Sequence, residues 1–317
     1  MEKKSEHLVD TELKEHLNQF RKTPLNAETL HYLRVNQTKN KNFYTPEHLP
    51  VNMTERTIPG LTDAPDVRII IFTPTTSSSP KPVYLSIHGG GNIMGAADLD
   101  NEENAKLAVD LDCVVVAVDY RLAPETKHPG ALEDTYATLS WIYNNHETLD
   151  IDKHKIAIGG SSAGAGHAAR LGLYTRDNSD INIMFQYLEM PMLDDRTCIN
   201  GVSPYAGEYI WDNNNNYLGW SSLLGHEPGI NDVSPYAVPA RAEDLSALPP
   251  TLIIVGALDL FLDESMNFSQ RLIHAGVPTE LHVYPGAYHD FKSIKEARIS
   301  KSMQEIKLAA MHRAFYG

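Results

Sequence analysis

Lys155-Ile156-Ala157-Ile158-Gly159-Gly160-Ser161-Ser162-Ala163-Gly164-Ala165-Gly166-His167-Ala168-Ala169-Arg170 is the stretch whose reading decides the fold. A short β-prone run passes through small residues directly into a helical pattern. Gly160-Ser161-Ser162-Ala163-Gly164 fits G-x-S-x-G in the strand–turn–helix setting that gives the motif its meaning. The reason is steric. A nucleophile raised on a sharp turn leaves no room for side chains two residues to either side, hence glycine at 160 and 164. Centring the motif on Ser161 would put Gly159 and Ala163 at the flanks and break it, so Ser162 is the candidate nucleophile. A dinucleotide fingerprint would need G-x-G-x-x-G. Gly164-Ala165-Gly166 starts inside the helix, and position 169 is alanine.

Outward from this turn the chain alternates. Short β-rich runs at 67–72, 83–87, 113–118, 155–158, 183–187, 252–255 and 280–284 read as strands, several of them near-continuous apolar as in strands buried on both faces. Helical patterns at 104–111, 131–143, 162–174, 264–275 and 300–315 lie between them. The spacing predicts an α/β fold with a mostly parallel sheet. About sixty residues between the strands near 188 and 252 break the alternation; the stretch 191–240, with Trp211, Trp220 and the Asn213–Asn216 run, is expected to be an insertion over the sheet edge. Residues 1–50 read as an amphipathic packing arm: Val9, Leu13, Leu17 and Phe20 share one helical face, Pro24 interrupts, and Leu30 and Leu33 mark a second helix. The expected organisation is thus an arm (1–50) and a catalytic domain (51–317) interrupted by 191–240.

Three further features carry chemistry. The strand at 83–87 ends in His88-Gly89-Gly90-Gly91. Consecutive glycines present backbone N–H groups, which suits an oxyanion hole made by such a loop together with the N–H of the residue after the nucleophile. Gly89, Gly90 and Ala163 are the candidates. A serine hydroxyl needs a base and an orienting acid. Asp259 lies just past the strand at 252–255, whereas Asp263 and Glu264 sit where a helix begins and are expected to complement its N-terminus. His289 lies on the loop after the last strand and His282 inside that strand; only the loop residue can reach over the sheet edge. Asp119, Arg121 and Glu125 read as structural charges that tie loops together.

The chain has 317 residues, with 41 acidic and 27 basic side chains and a net charge of −14. Such a balance makes the chain a poor candidate for a binder of double-stranded nucleic acid, which needs Lys and Arg to neutralise phosphates. The purest apolar run, 113–118, is too short to span a bilayer. Two unpatterned cysteines, Cys113 and Cys198, imply neither a disulfide framework nor a metal site. The polar start of the chain lacks the apolar segment of a secretory signal, so a cytoplasmic protein is expected.

With these residues in hand the chain resembles the hormone-sensitive-lipase-like esterases of the α/β-hydrolase fold. The resemblance rests on His88-Gly89-Gly90-Gly91, Asp119-Tyr120-Arg121-Leu122-Ala123-Pro124-Glu125, Gly160-Ser161-Ser162-Ala163-Gly164 and the segments around Asp259 and His289. It covers about residues 65–315. It implies an eight-stranded sheet, a helical cap built from the arm and the insertion, and a serine carboxylesterase with the triad Ser162, His289 and Asp259. It further implies short acyl groups, no metal or organic cofactor, a small-molecule ester as partner without nucleic acid or membrane, and a homodimer. A non-catalytic ligand receptor, or an amidase or acyltransferase, would use the same frame. The chain departs from the family pattern at Ser161 (aspartate in the family), at Asn92 (an aromatic) and at Met190, beside Glu189. Asn92 and Glu189 are therefore the candidate substrate-pocket residues. The acidic surface is expected to disfavour anionic esters.

Overall fold

The computed structural model describes residues 3–17, 25–39, 48–75, 80–201 and 203–317. Its strands are β1 (Val51–Ile58), β2 (Val67–Pro74), β3 (Lys81–Ile87), β4 (Val114–Asp119), β5 (Ile151–Ser161), β6 (Phe185–Glu189), β7 (Thr251–Gly256) and β8 (Thr279–Tyr284). They form one sheet in the order β1-β2-β4-β3-β5-β6-β7-β8. β2 runs antiparallel to both neighbours, β1 and β4. Every other adjacent pair is parallel. The helices are α1 (Thr11–Lys14), α2 (Ala27–Lys39), α3 (Asn101–Asp110), α4 (Gly130–Asn144), α5 (His146–Leu149), α6 (Ala163–Asn178), α7 (Thr197–Asn200), α8 (Asn213–Leu224), α9 (Leu262–His274) and α10 (Arg298–Tyr316).

Alternation along the strands builds two apolar layers, one on each face of the sheet. Val83, Leu85 and Ile87 of β3 pack with Leu139 of α4, Ala168 of α6 and Phe268 of α9. Tyr84 of the same strand faces the other way, with Leu107 of α3 and Met311 of α10. Every residue of β3 and of β7 is buried, as expected of strands covered on both faces. Helix α9 buries Ser265, Phe268, Ser269 and Leu272, the i, i+3, i+4, i+7 set of a helix lying on a sheet.

Strand order reverses at β3. The chain steps outward from β3 to β4, then returns to lay β5 on the other side of β3. Ligand crevices of open α/β sheets form beyond the carboxyl ends of the strands at such a switch point. Here that crevice is bounded by the glycine loop after β3 and the Ser162 turn after β5.

All seven expected strands are present, with ends moved by a few residues. β1 lies outside the expectation because it is an edge strand: only its two terminal residues, Val51 and Ile58, are buried, and the interior of Val51–Ile58 carries Asn52, Thr54, Glu55 and Arg56. In the insertion, the asparagine run opens helix α8, whose start is capped by the Asp212 carboxylate accepting from Asn215 N–H at 2.9 Å. Of the helical face expected from Val9 onward, the described residues up to 17 hold one α-helical turn, α1, which starts only at Thr11 because Val9 is extended and Asp10 caps afresh. Val9 and Leu13 are nevertheless buried. Phe20 and Pro24 lie outside the described residues.

Candidate active site

Ser162 stands alone between β5 and α6, with φ 58° and ψ −119°. A non-glycine residue in this region stores on the order of 1–3 kcal/mol of strain and persists only where its surroundings hold it. They do. Ser162 N–H donates to Glu189 O at 2.8 Å, and its carbonyl accepts from Gly166 N–H and Met192 N–H, both at 3.1 Å. The flanking glycines are required by contact. A Cβ on Gly160 would lie 2.1 Å from Ile87 O, and one on Gly164 would lie 2.0 Å from the same oxygen. Only with hydrogen at both positions can the turn after β5 press against the end of β3.

The neighbouring loops deliver two more side chains. Asp259 follows β7, is fully buried, and accepts from Phe261 N–H at 2.9 Å through Oδ1. Its Oδ2 accepts from His289 Nδ1 at 2.8 Å. Because an ionised carboxylate can only accept, Nδ1 carries the proton and Nε2 is left to accept from Ser162 Oγ, 3.0 Å away. Burial disfavours the imidazolium, but the charge and hydrogen bond of Asp259 outweigh it, and the net shift of His289 is upward from 6.5.

Across the switch point the glycine loop is braced from behind. Tyr120 Oη donates to His88 O at 2.8 Å, and its ring stacks on the His88 imidazole at 4.2 Å. Gly90 has φ +121° and its carbonyl accepts from Ile93 and Met94 N–H at 3.1 and 3.0 Å. Gly89 and Gly90 N–H have no acceptor among the described residues. Ala163 N–H belongs to the first residue of α6, where no intrahelical acceptor exists. A Cβ on Gly89 would come within 3.6 Å of Ser162 Cβ, so this loop lies directly beside the turn.

A cleft of about 260 Å³ opens over Ser162 and His289. Met94, Leu99, Ile210 and Trp211 supply its apolar lining, Asp100, Asp290 and Lys292 its charged lining, and Gln37 of α2 also reaches it. Burial pushes the Asp100 carboxyl up to about 6 and also raises that of Asp290.

Neither Asn92 nor Glu189 lines this cleft. Asn92 is buried, with Nδ2 pointing to Met192 Sδ at 3.5 Å. Glu189 faces a small polar cavity behind the turn. There it accepts from Tyr187 Oη at 2.6 Å and pairs with Lys292 at 2.8 Å. Lys292 also pairs with Glu103 at 3.2 Å, and Glu103 with Lys307 at 2.5 Å. Lys292 escaped the sequence reading because its partners come from α3 and β6, far off in the chain.

The remaining expectations sort by geometry. Asp263 is exposed at the start of α9. Glu264 instead turns inward and accepts from Leu193 N–H at 2.7 Å, so it ties the first residues of the insertion to α9 rather than serving its own helix terminus. His282 pairs with Glu280 at 2.6 Å. Arg121 binds Asp134 through Nε at 2.9 Å, Asp119 accepts from Ala97 N–H at 3.1 Å, and Glu125 pairs with Arg34 at 2.7 Å. All three are loop ties. Among the described residues no His, Cys, Asp and Glu side chains are grouped to hold a metal, and no helix is long and apolar enough to cross a membrane.

Residues 84–293 match the family described by the alpha/beta hydrolase fold. The chain belongs to the α/β-hydrolase family. Within it, the chain is 30% identical to "Carboxylesterase NlhH" of Mycobacterium tuberculosis over 97% of both proteins, and 32% identical to "Esterase LipI" of the same organism over 75% of this chain and 74% of the relative. Among solved structures, "Bacterial Heroin Esterase" superposes with a TM-score of 0.91 at 36% identity, covering 98% of this chain and 99% of that one. The esterase LipW from Mycobacterium marinum gives 0.87 at 32%, covering 100% and 99%. These likenesses put the α/β-hydrolase in the hormone-sensitive-lipase-like, type IV esterase branch.

Proposed function

We propose that this protein hydrolyses small, short-acyl carboxylic esters through an acyl-enzyme formed on Ser162. Carboxylic ester hydrolysis is the chemistry of its branch of the family. Ser162 Oγ attacks the ester carbonyl carbon as His289 Nε2 takes the hydroxyl proton, and Asp259 holds the imidazole in the required tautomer and stabilises the imidazolium. The N–H groups of Gly89, Gly90 and Ala163 receive the oxyanion. The tetrahedral intermediate collapses, the C–O bond to the alcohol breaks, and the leaving oxygen takes the proton from His289. Water then repeats the sequence on the acyl-enzyme, with His289 as base, and releases the acid.

The observation that carries this reading is the continuous row from Ser162 Oγ through His289 to Asp259, at 3.0 and 2.8 Å, set against a loop with two unused N–H groups. A non-catalytic receptor on the same frame has no use for that row. Two free, buried cysteines suit a cytoplasmic location. The test is hydrolysis of p-nitrophenyl acetate and butyrate. Ser162→Ala is expected to lower kcat by about 10⁴-fold or more, and equal rates for the variant and the native protein would remove Ser162 from the mechanism. The net charge of −14 predicts that kcat/KM for an anionic ester rises with salt more than for a neutral ester of equal size.

A further inference from the structure

The aromatic expected after the glycine loop is absent, and Asn92 in its place turns into the core. An aromatic ring does meet the loop, but it comes from the insertion. Were Gly91 to carry a Cβ, that atom would lie 2.0 Å from Trp211 Cη2, so the indole edge occupies the space a side chain at 91 would fill. The same ring stands 6.3 Å, centroid to centroid, from the imidazole of His289. Trp211 therefore bridges the oxyanion loop and the candidate base, and it is only 6% exposed.

Its position is fixed from several directions. Trp211 Nε1 donates to Asn216 Oδ1 at 3.3 Å, and Asn216, fully buried on α8, points Nδ2 to Cys198 Sγ at 3.3 Å. Gly219 of α8 rests on the Gly91 carbonyl, where a Cβ would come within 2.6 Å of the oxygen. Ile210 precedes it at φ +60°, a conformation rare for a β-branched residue and sustained only by surrounding contacts. A strained backbone, a buried amide and a glycine contact together hold one ring against one loop.

We propose that Trp211 is the specificity-determining wall of the cleft and limits the acyl group to a few carbons. The inference rests on the esterase reading above. The acyl group stays bonded to Ser162 while water is activated, so it belongs at the enclosed apolar part beside Gly91 and Trp211. The alcohol leaves toward the open part of the cleft, marked by Leu99, which is 46% exposed. A rigid, buried ring there meets a longer chain directly, and each methylene accommodated or refused by an apolar pocket changes kcat/KM by about tenfold or more.

The experiment compares kcat/KM for p-nitrophenyl acetate, butyrate, hexanoate and octanoate in the native protein, in Trp211→Ala and in Trp211→Leu, with a parallel series in which the acyl group is acetyl and the alcohol grows. The native protein is expected to favour acetate or butyrate. Either variant should raise the octanoate-to-acetate ratio by about tenfold or more and leave the ratios of kcat/KM within the alcohol series changed by no more than about twofold. An unchanged acyl ratio, or a shift confined to the alcohol series, overturns the proposal. If neither variant folds, the native protein still decides: inactivation by p-nitrophenyl alkylphosphonates should slow steeply from methyl to octyl, and a flat series overturns the proposal. Absence of hydrolysis and of phosphonylation across every series would instead remove the esterase reading, and this inference with it. Hydrolysis with a flat acyl profile removes only the role of Trp211.

Discussion

Three residues apart on the segment after β8, His289 and Lys292 each carry a nitrogen into the protein and each meets a buried carboxylate at 2.8 Å: Asp259 for the histidine, Glu189 for the lysine. The carboxylates are alike in burial, 0% and 1% exposed. Both pairs belong to the neighbourhood of Ser162, whose N–H donates to Glu189 O. Burial and pairing therefore do not tell a reacting pair from a supporting one. The distinction is in what stands on the far side of the histidine and of the lysine. Beyond His289 stands a hydroxyl at 3.0 Å, held on a strained turn and open to a cleft. Beyond Lys292 stands another carboxylate, Glu103, and behind that Lys307. The first row ends in a hydroxyl that can give up its proton and attack; the second ends in charges already paired with one another.

Removing the centre of each row should break different properties. His289→Ala is expected to lower kcat by about 10⁴- to 10⁶-fold in the folded protein, over and above the stability cost of leaving the buried Asp259 unpaired, as read by kinetics of the folded protein and urea denaturation. Lys292→Met leaves Glu189 and Glu103 buried without their shared cation, and breaking a buried pair from one side costs about 3–5 kcal/mol. Its cost should fall on unfolding free energy, while kcat of the folded enzyme stays within about tenfold of native. A loss of kcat comparable to that of His289→Ala in a fully folded Lys292→Met would erase the distinction drawn between the rows.

The pH dependence sharpens the same contrast. Asp259 outweighs burial and raises the pKa of His289 above 6.5. As a base the imidazole must be neutral, so the acid limb of kcat/KM should lie above pH 6.5. A group whose pKa is raised on folding contributes its full stability below the unfolded value and loses it as pH climbs through the folded one. Activity should therefore rise over the window in which this contribution to stability fades. Asp259→Asn should move the acid limb down and flatten the stability change, besides lowering kcat by about 10⁴-fold. An acid limb unchanged in Asp259→Asn would detach it from the titration of His289.

Legibility in the sequence followed the same physical line. Ser162 and Asp259 could be singled out because each follows a strand that is buried on both faces where it ends, and such strands announce themselves as short apolar runs; His289 follows β8, a half-exposed edge strand read from the short β-prone run 280–284. Gly160 and Gly164 were legible for the steric reason the structure displays against Ile87 O. β1 was illegible because an edge strand with exposed Asn52, Thr54 and Glu55 carries no apolar signal, and α8 because its cap and its four asparagines read as loop. The Lys292 row and the Trp211 contact were beyond reach for another reason: each is a meeting of residues from separate elements, with no local pattern in any of them. Asn92 stood out as a departure from a family pattern and Glu189 as the neighbour of another, Met190, but departure gives no direction, and neither side chain lines the cleft.

A third member of the series sets the lower bound. Lys295 lies three residues beyond Lys292 and pairs with Glu102 at 2.6 Å, a contact no longer than those of His289 and Lys292. Here the side chains are 70% and 61% exposed, so water screens the attraction and the lysine gives up rotamer freedom to make it. Lys295→Ala should leave both the urea midpoint and kcat/KM indistinguishable from native, at low salt as well as at physiological salt. Since His289, Lys292 and Lys295 lie 2.8, 2.8 and 2.6 Å from a carboxylate in different degrees of burial, a measurable loss from Lys295→Ala would mean that distance, and not what surrounds it, governs the other two as well.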